Sequence, residues 1–208
     1  MSIIEQLASS LGRRDEVPNQ ELAQQLVANG DQKAVAILVE NLHHKNKDIQ
    51  SDCIKTLDEI GKLNPKLVAP HIEALLALLD HKNNRLQWGA MTALNAVANE
   101  NLKAVYQALP KIIACADKGS VITNDNCVGI LIKLCAVPTY ADDAFALLNE
   151  RLLQCPTNQL PMYAENALPI INQQNKSTFI GTLTARLPEI EKDSKRLRVE
   201  KVIQKINK

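Results

Sequence analysis

Apolar residues recur along the chain at the spacing that places them on one face of an α-helix. In the clearest segment, Leu86, Ala90, Leu94 and Val97 fall at positions i, i+4, i+8 and i+11, which form one helical stripe. A second apolar segment, residues 71–79, comes before it, and a short polar turn separates the two. The pattern therefore predicts pairs of amphipathic helices joined by turns.

The helical pattern repeats every 37 residues. The segment Leu42–Leu57 aligns without a gap with the segment Leu79–Leu94. Further steps of the same length bring small residues into register: Cys53, Ala90, Cys127 and Ala164. Because one pair of amphipathic helices cannot bury its apolar stripes alone, we expect consecutive pairs to stack around a continuous core.

The repeat predicts how the whole chain is organised. We expect an all-α fold, an α-α superhelix of about six antiparallel helix pairs, in a single domain over residues 1–208. Residues 31–172 carry the clearest repeats, residues 1–30 form an irregular N-terminal cap, and residues 173–208 form a C-terminal capping repeat. A terminal repeat of this kind presents a polar outer face to water.

Local signals refine the helix boundaries. The first pair is the least regular, with helices expected near residues 2–11 and 19–29. Pro110 and Pro188 fall inside first helices and should kink them, because proline lacks the amide hydrogen and clashes with the preceding turn. For the same reason Pro169 should bend or shorten a second helix.

These residues resemble the HEAT repeat, an armadillo-like α-solenoid family. Its pattern runs from Leu through an Asp/Pro-rich turn to Val-Arg and then to small residues ending in Ala-Leu, and Leu79–Leu94 follows it closely. HEAT units commonly pair a turn Asp with a helix Arg, in a ladder along the stack. Here Asn46 and Asn83 stand in the turns, with Gln50 and Gln87 on the helices. We expect a neutral amide ladder in place of the charged one.

Composition and charge narrow the functional classes. The net charge is +1, from 24 basic and 23 acidic residues, which argues against bulk electrostatic binding of nucleic acid. The five cysteines are odd in number and form no C-x-x-C pair, so they are interpreted as small apolar residues in a reducing compartment. No apolar run approaches the length of a membrane span. We expect a cytoplasmic protein without a cofactor.

The resemblance implies that second helices line a concave face, where such solenoids commonly bind partners. Stepping by 37 residues from the start of each second helix gives two adjacent rows that we expect to be the most exposed there. The candidate partner-binding residues in these rows are Asp52, Trp88, Asp125, Asn126, Met162 and Tyr163. Exposed aromatic residues and Met beside carboxylates have the composition of a protein-recognition hot spot. Alternatively, Trp88 packs over the neighbouring helix.

The turns between paired helices carry a second group of candidates. His43, His44 and His81 lie in adjacent turns, which permits either a metal site or solvated turn residues, and no Cys or carboxylate recurs there to complete a metal shell. A basic ridge along one edge could contact phosphates or be a solvated edge; its residues are Lys45, Lys47, Lys82, Arg85 and Lys118. The basic final helix is likewise open to two interpretations, capping or nucleic-acid binding.

The leading functional hypothesis is a non-enzymatic protein–protein interaction scaffold. The sequence contains no G-x-G phosphate loop, no G-x-S-x-G and no H-E-x-x-H motif. The alternative is a nucleic-acid-binding HEAT-like protein related to the alkylpurine DNA glycosylases, which use aromatic residues and an Asp. Trp88 matches the aromatic part, but Thr92 stands where a carboxylate would share its helix face. A third hypothesis is an accessory role toward a cofactor-bearing protein.

Overall fold

The computed structural model describes residues 2–207, which form helices and turns without a strand. Short 3-10 segments extend several α-helices and join others. The α-helices are α1 Val17–Asn29, α2 Gln32–Glu40, α3 Lys47–Leu63, α4 Pro65–Val68, α5 Ile72–Ala77, α6 Asn84–Val97, α7 Leu102–Gln107, α8 Leu109–Lys118, α9 Val121–Cys135, α10 Ala141–Gln154, α11 Leu160–Ala167, α12 Lys176–Arg186 and α13 Asp193–Asn207. The all-α prediction is confirmed.

The chain divides into two compact units, Met1–Cys127 and Val128–Lys208, with residues of α9 in both. In the first unit α3 packs against its pair partner α2 and also against α1 and α6. In the second unit α10 packs on α12, and α11 packs on α13. Helices at the same place in successive pairs therefore lie side by side within each unit. The expectation of a single repeat domain stays a prediction.

The register of 37 residues is visible in the core. Cys53, Ala90, Cys127 and Ala164 are all fully buried. Small side chains at this position let neighbouring helix axes approach closely. Burial of Cys53 raises the pKa of its thiol to about 12, so it behaves as an apolar core residue.

Of the three proline predictions, the one for Pro169 is confirmed, and the predicted N-terminal helix over residues 2–11 is wrong. Residues 2–11 contain a single 3-10 turn, Ile4–Gln6, and further turns instead of a helix. Pro169 shortens its helix as predicted, because α11 ends at Ala167. The expectation that Pro110 and Pro188 kink first helices from the inside is wrong. Pro110 occupies the first turn of α8, where a missing amide hydrogen costs nothing, and Pro188 follows the end of α12.

The predicted amide ladder is wrong in its pairing. Gln87 Nε2 donates to Leu79 O at 3.2 Å, and Asn124 Nδ2 donates to Ala116 O at 2.9 Å. Each amide thus ties a second helix to the end of the first helix in the same pair. The turn residue Asn83 instead caps α6 by accepting the amide hydrogen of Arg85 at 3.0 Å. Helix ends leave backbone groups unpaired, and these side chains reach them before they reach a neighbouring repeat.

The same arrangement occurs one repeat earlier. Gln50 Nε2 donates to His44 O at 2.7 Å, and Asn46 Oδ1 accepts the amide hydrogen of Asp48 at 2.8 Å. Both repeats therefore use the turn Asn as an N-cap and the helix Gln as a tie to the preceding segment. The sequence correctly marked these positions as equivalent and polar, but it did not show which groups they bond.

Candidate protein-binding surface

The six candidate residues differ in exposure more than their common register predicts. Asp52 is 8% exposed and Tyr163 is 1% exposed, so the expectation that they are among the most exposed residues is wrong. The other four candidates are half-buried: Trp88, Asp125, Asn126 and Met162. Met162 and Tyr163 belong to the second unit, and the remaining four belong to the first.

Asp52 holds the N-terminal segment onto α3. Its carboxylate accepts the amide hydrogen of Ser9 at 2.8 Å and the side-chain amide of Asn19 at 2.8 Å. Asn19 in turn accepts the amide hydrogen of Ala8 at 2.9 Å. The buried carboxylate thus supplies an acceptor to a segment whose backbone N–H groups have no partner in a regular helix. Asp52 is therefore a structural residue in this conformation.

Tyr163 belongs to the core stripe of α11. Leu160, Tyr163, Ala164 and Ala167 are all buried and fall at i, i+3, i+4 and i+7. Met162 lies beside this stripe and is half-buried. The step of 37 residues located the helix correctly, but a large ring at this position of α11 turns inward.

Trp88 lies at the surface of α6 beside a charged neighbour. The guanidinium carbon of Arg85 lies 5.7 Å from the centroid of the indole ring, within the range of a cation–π contact. Arg85 also forms an ion pair with Glu16 at 3.2 Å. Because the ring is half-buried, one part packs against the protein and the other part is open to a partner.

Asn126 joins the first turns of α9 to α6. Its Nδ2 donates to Thr92 Oγ1 at 3.1 Å and to Ile122 O at 2.9 Å, and its Oδ1 accepts from Asn95 Nδ2 at 2.9 Å. Thr92 Oγ1 donates to the carbonyl of Trp88 at 2.9 Å. These bonds hold the backbone of Ile122 near that of Trp88. Asn126 is therefore a positioning residue, and this role was not predicted.

Two exposed aliphatic residues begin α9, the helix that Asn126 joins to α6. Val121 is 52% exposed and Ile122 is 46% exposed. We use the name Trp88 surface for Arg85 and Trp88 on α6 together with Val121, Ile122 and Asp125 on the first turns of α9. Sequence reasoning overlooked Ile122, although the step of 37 residues places it in register with Arg85. The sequence did contain a signal for Ile122, because an apolar residue stands there where the preceding repeat has the exposed Arg85.

A chain of ion pairs borders the Trp88 surface on the side of α3. Lys55 lies between Glu16 at 3.0 Å and Glu59 at 2.6 Å. Burial lowers the pKa of Lys55, but the two carboxylates outweigh this effect and leave its pKa raised. For Glu59, burial raises the pKa, yet Lys55 and Lys62 leave it lowered. Acids and bases are paired here, so this border is not a strongly charged patch.

The turn histidines are bonded within their turns. Nδ1 of His44 accepts the amide hydrogen of Asn46 at 3.1 Å, and Nδ1 of His81 accepts that of Asn83 at 3.0 Å. Over residues 2–207, no three His, Cys, Asp or Glu side chains converge in a way that would hold a metal ion. No helix in that range is long and apolar enough to span a membrane.

Comparison with solved structures identifies the fold. An engineered protein from the Northeast Structural Genomics Consortium is 19% identical, with a TM-score of 0.62 over 100% of this chain and 97% of that chain. A designed armadillo repeat protein is 18% identical, with a TM-score of 0.64 over 99% of this chain and 98% of its own. The chain folds as an armadillo/HEAT-like α-solenoid.

A second designed armadillo repeat protein is similar to this solenoid, with 18% identity and a TM-score of 0.63 over 99% of this chain and 98% of its own. That protein was solved in complex with the peptide (KR)4. No protein-family model matches the sequence of the solenoid, and no curated protein matches it. At these identities the similarity establishes the fold alone.

Proposed function

We propose that this α-solenoid is a protein-interaction scaffold that binds a segment of a partner protein at the Trp88 surface. The observation that carries the proposal is a half-buried Trp88 that is flanked by a guanidinium, on a helix that Asn126 joins to the exposed aliphatic start of α9. Tryptophan and arginine are the residues most enriched at the energetic centres of protein interfaces. The expected partner segment contributes an apolar side chain that covers the indole ring.

The hydrogen bonds of Asn126 support this proposal. They fix the backbones of α6 and α9 to each other, so the surface is formed before a partner arrives. A preformed surface loses less conformational entropy on binding than a mobile one. The peptide complex of the similar designed armadillo protein supports the same class of function.

The test is selection of peptides from a displayed library of random dodecamers, followed by measurement of their dissociation constants by calorimetry. Trp88→Ala should weaken the selected peptides by about tenfold or more, because a central aromatic anchor contributes more than about 1.4 kcal/mol. Leu63→Ala is the matched control, since Leu63 is 53% exposed in the same unit at the end of α3. It should leave the affinity unchanged.

Two results would count against the scaffold proposal. The first is that no selected peptide depends on Trp88 or Ile122. The second is that duplex DNA binds with steep salt dependence and loses its affinity in Trp88→Ala, which would favour the nucleic-acid alternative. Duplexes with and without an alkylated purine separate simple DNA binding from a role related to the glycosylases.

The burial of the cysteines supports our expectation of a reducing compartment. Cys53, Cys115 and Cys127 are buried, and Cys135 and Cys155 are half-buried. Burial also raises the pKa of the Cys135 thiol to about 12, which keeps it in the unreactive form. We therefore propose a cytoplasmic location for the scaffold, which fractionation of the producing cells would test.

A further inference from the structure

A second surface lies in the first unit, at the turns that precede α3 and α6. These turns enclose an open groove of about 1000 Å³, here named the turn groove. Its lining includes His44, Lys45, Lys47, Asp80, His81 and Lys82. The Trp88 surface shares none of these residues, so the turn groove is a separate surface of the first unit.

The two repeat-related histidines present hydrogen-bond donors. Nδ1 of His44 and Nδ1 of His81 each accept a backbone amide hydrogen, at 3.1 and 3.0 Å. A neutral imidazole that accepts at Nδ1 must carry its proton on Nε2. Nε2 of both rings is therefore an N–H donor, on side chains that line the groove.

The charges in the groove are mostly positive and unopposed. None of Lys45, Lys47 and Lys82 forms an ion pair with a carboxylate within residues 2–207. The acid that lines the groove, Asp80, is paired with Lys111 at 2.9 Å. A concave surface lined by ammonium groups and N–H donors is complementary to an anion.

We propose that the turn groove docks an acidic segment of a protein partner, with its carboxylates paired to Lys45, Lys47 and Lys82. A peptide fits better than a nucleic acid for two reasons. The groove has no Phe, Tyr or Trp among its lining residues on which bases would stack, and the net charge of +1 provides no broad field for a phosphate backbone. A partner that reaches both surfaces would combine an apolar anchor with an acidic stretch.

The probe is a fluorescein-labelled octamer of glutamate, measured by anisotropy against the full chain at low ionic strength. Lys45→Ala and Lys82→Ala should each weaken binding about threefold, and the double variant about tenfold, as expected for exposed charge pairs. The matched control is Lys66→Ala with Lys103→Ala, because both lysines are exposed in the same unit but do not line the groove. This control should retain the affinity of the unchanged protein.

Two outcomes would overturn the proposal for the turn groove. Equal losses in the groove and control variants would do so, because they would indicate diffuse attraction to any lysine. Tighter binding of an unlabelled duplex or single-stranded oligonucleotide through the same lysines would also do so, in favour of nucleic acid. Trp88→Ala should leave octaglutamate affinity unchanged, so failure of the groove proposal is distinguishable from failure of the Trp88 surface.

Discussion

Single residues decide how closely α3 and α6 approach each other. Gly89 on α6 faces Ile54 on α3, and a Cβ atom at position 89 would lie 2.7 Å from Ile54 Cγ1. A Cβ atom does not approach another carbon atom this closely in real structures, so either Ile54 or one of the two helices would have to shift. Gly89 therefore permits the short distance between the two helices.

Gly89→Ala should lower the free energy of unfolding by about 1–3 kcal/mol, the usual cost of overpacking a core. Gly181→Ala is the control, because nothing lies within 4 Å of a Cβ at that position of α12. It should be neutral or should stabilise by up to about 1 kcal/mol, since alanine favours a helix. Urea unfolding followed by circular dichroism measures both, and equal effects would contradict the packing account.

Asp58 is a buried acid with one unpaired oxygen. Its Oδ2 bonds Lys62 Nζ at 2.8 Å, but its Oδ1 is buried without a partner. In the next repeat the equivalent residue, Asn95, donates to Asn126, whereas the residue in register with Asn126 one repeat earlier is Gly89, which has no side chain to bond Asp58. Burial raises the pKa of Asp58 above its ordinary value of 3.8, an effect that Lys62 only partly offsets.

Asp58→Asn should therefore stabilise the protein at neutral pH by about 1 kcal/mol, because it removes a buried negative charge whose desolvation Lys62 only partly offsets. The raised pKa means that the folded state binds this proton more tightly, so the unchanged protein loses stability as pH rises from 3.8 through the folded-state pKa. The variant should lack this loss. Unfolding curves at pH 3.5 and pH 7 test it; a less stable variant at pH 7 would show that the Lys62 bond matters more.

At the scale of helices, the sequence predicted the register better than the contacts. The repeat of 37 residues correctly placed Cys53 and Cys127 in the core, because helix periodicity and side-chain size decide burial there. It misplaced Asp52, since the neighbour that buries it is an irregular N-terminal segment without a repeat pattern. The repeat pattern also did not predict that Arg186 is buried, because its burial depends on the end of a helix that is distant in sequence.

Arg186 closes the end of α10 in the second unit. It is 7% exposed and donates to the carbonyls of Leu152 at 2.6 Å, Leu153 at 2.8 Å and Cys155 at 2.9 Å. It also bonds Glu189 at 2.7 Å. The last carbonyls of a helix lack partners within that helix, and a guanidinium satisfies several of them together.

Arg186→Met should cost about 3 kcal/mol of stability, because it retains much of the side chain but leaves buried carbonyls without donors. Arg198→Met is the control in the same unit, since Arg198 pairs with Glu165 at an exposed site. Its cost should stay below about 1 kcal/mol. Thermal unfolding of the two variants compares them, and equal costs would show that the carbonyl bonds contribute little.

At the scale of the whole molecule, the fold was predictable because every repeat contributes to the same apolar pattern. The binding surface was only partly predictable. Trp88 is half-buried on a second helix instead of fully exposed, Asn126 proved to be a bridge, and Ile122 was overlooked. Partner binding depends on the residues that the repeat leaves free, and a repeat pattern does not distinguish a free residue from one that holds a neighbouring segment.

The most direct test of the scaffold is the fluorescence of Trp88, the single tryptophan of the chain, during titration with a selected peptide. The half-buried ring should be quenched by acrylamide in the free protein. Added peptide should shift the emission to the blue and reduce quenching. The dissociation constant from this titration should equal the one that anisotropy of the labelled peptide gives. Binding by anisotropy with no change in Trp88 emission or quenching would contradict the account.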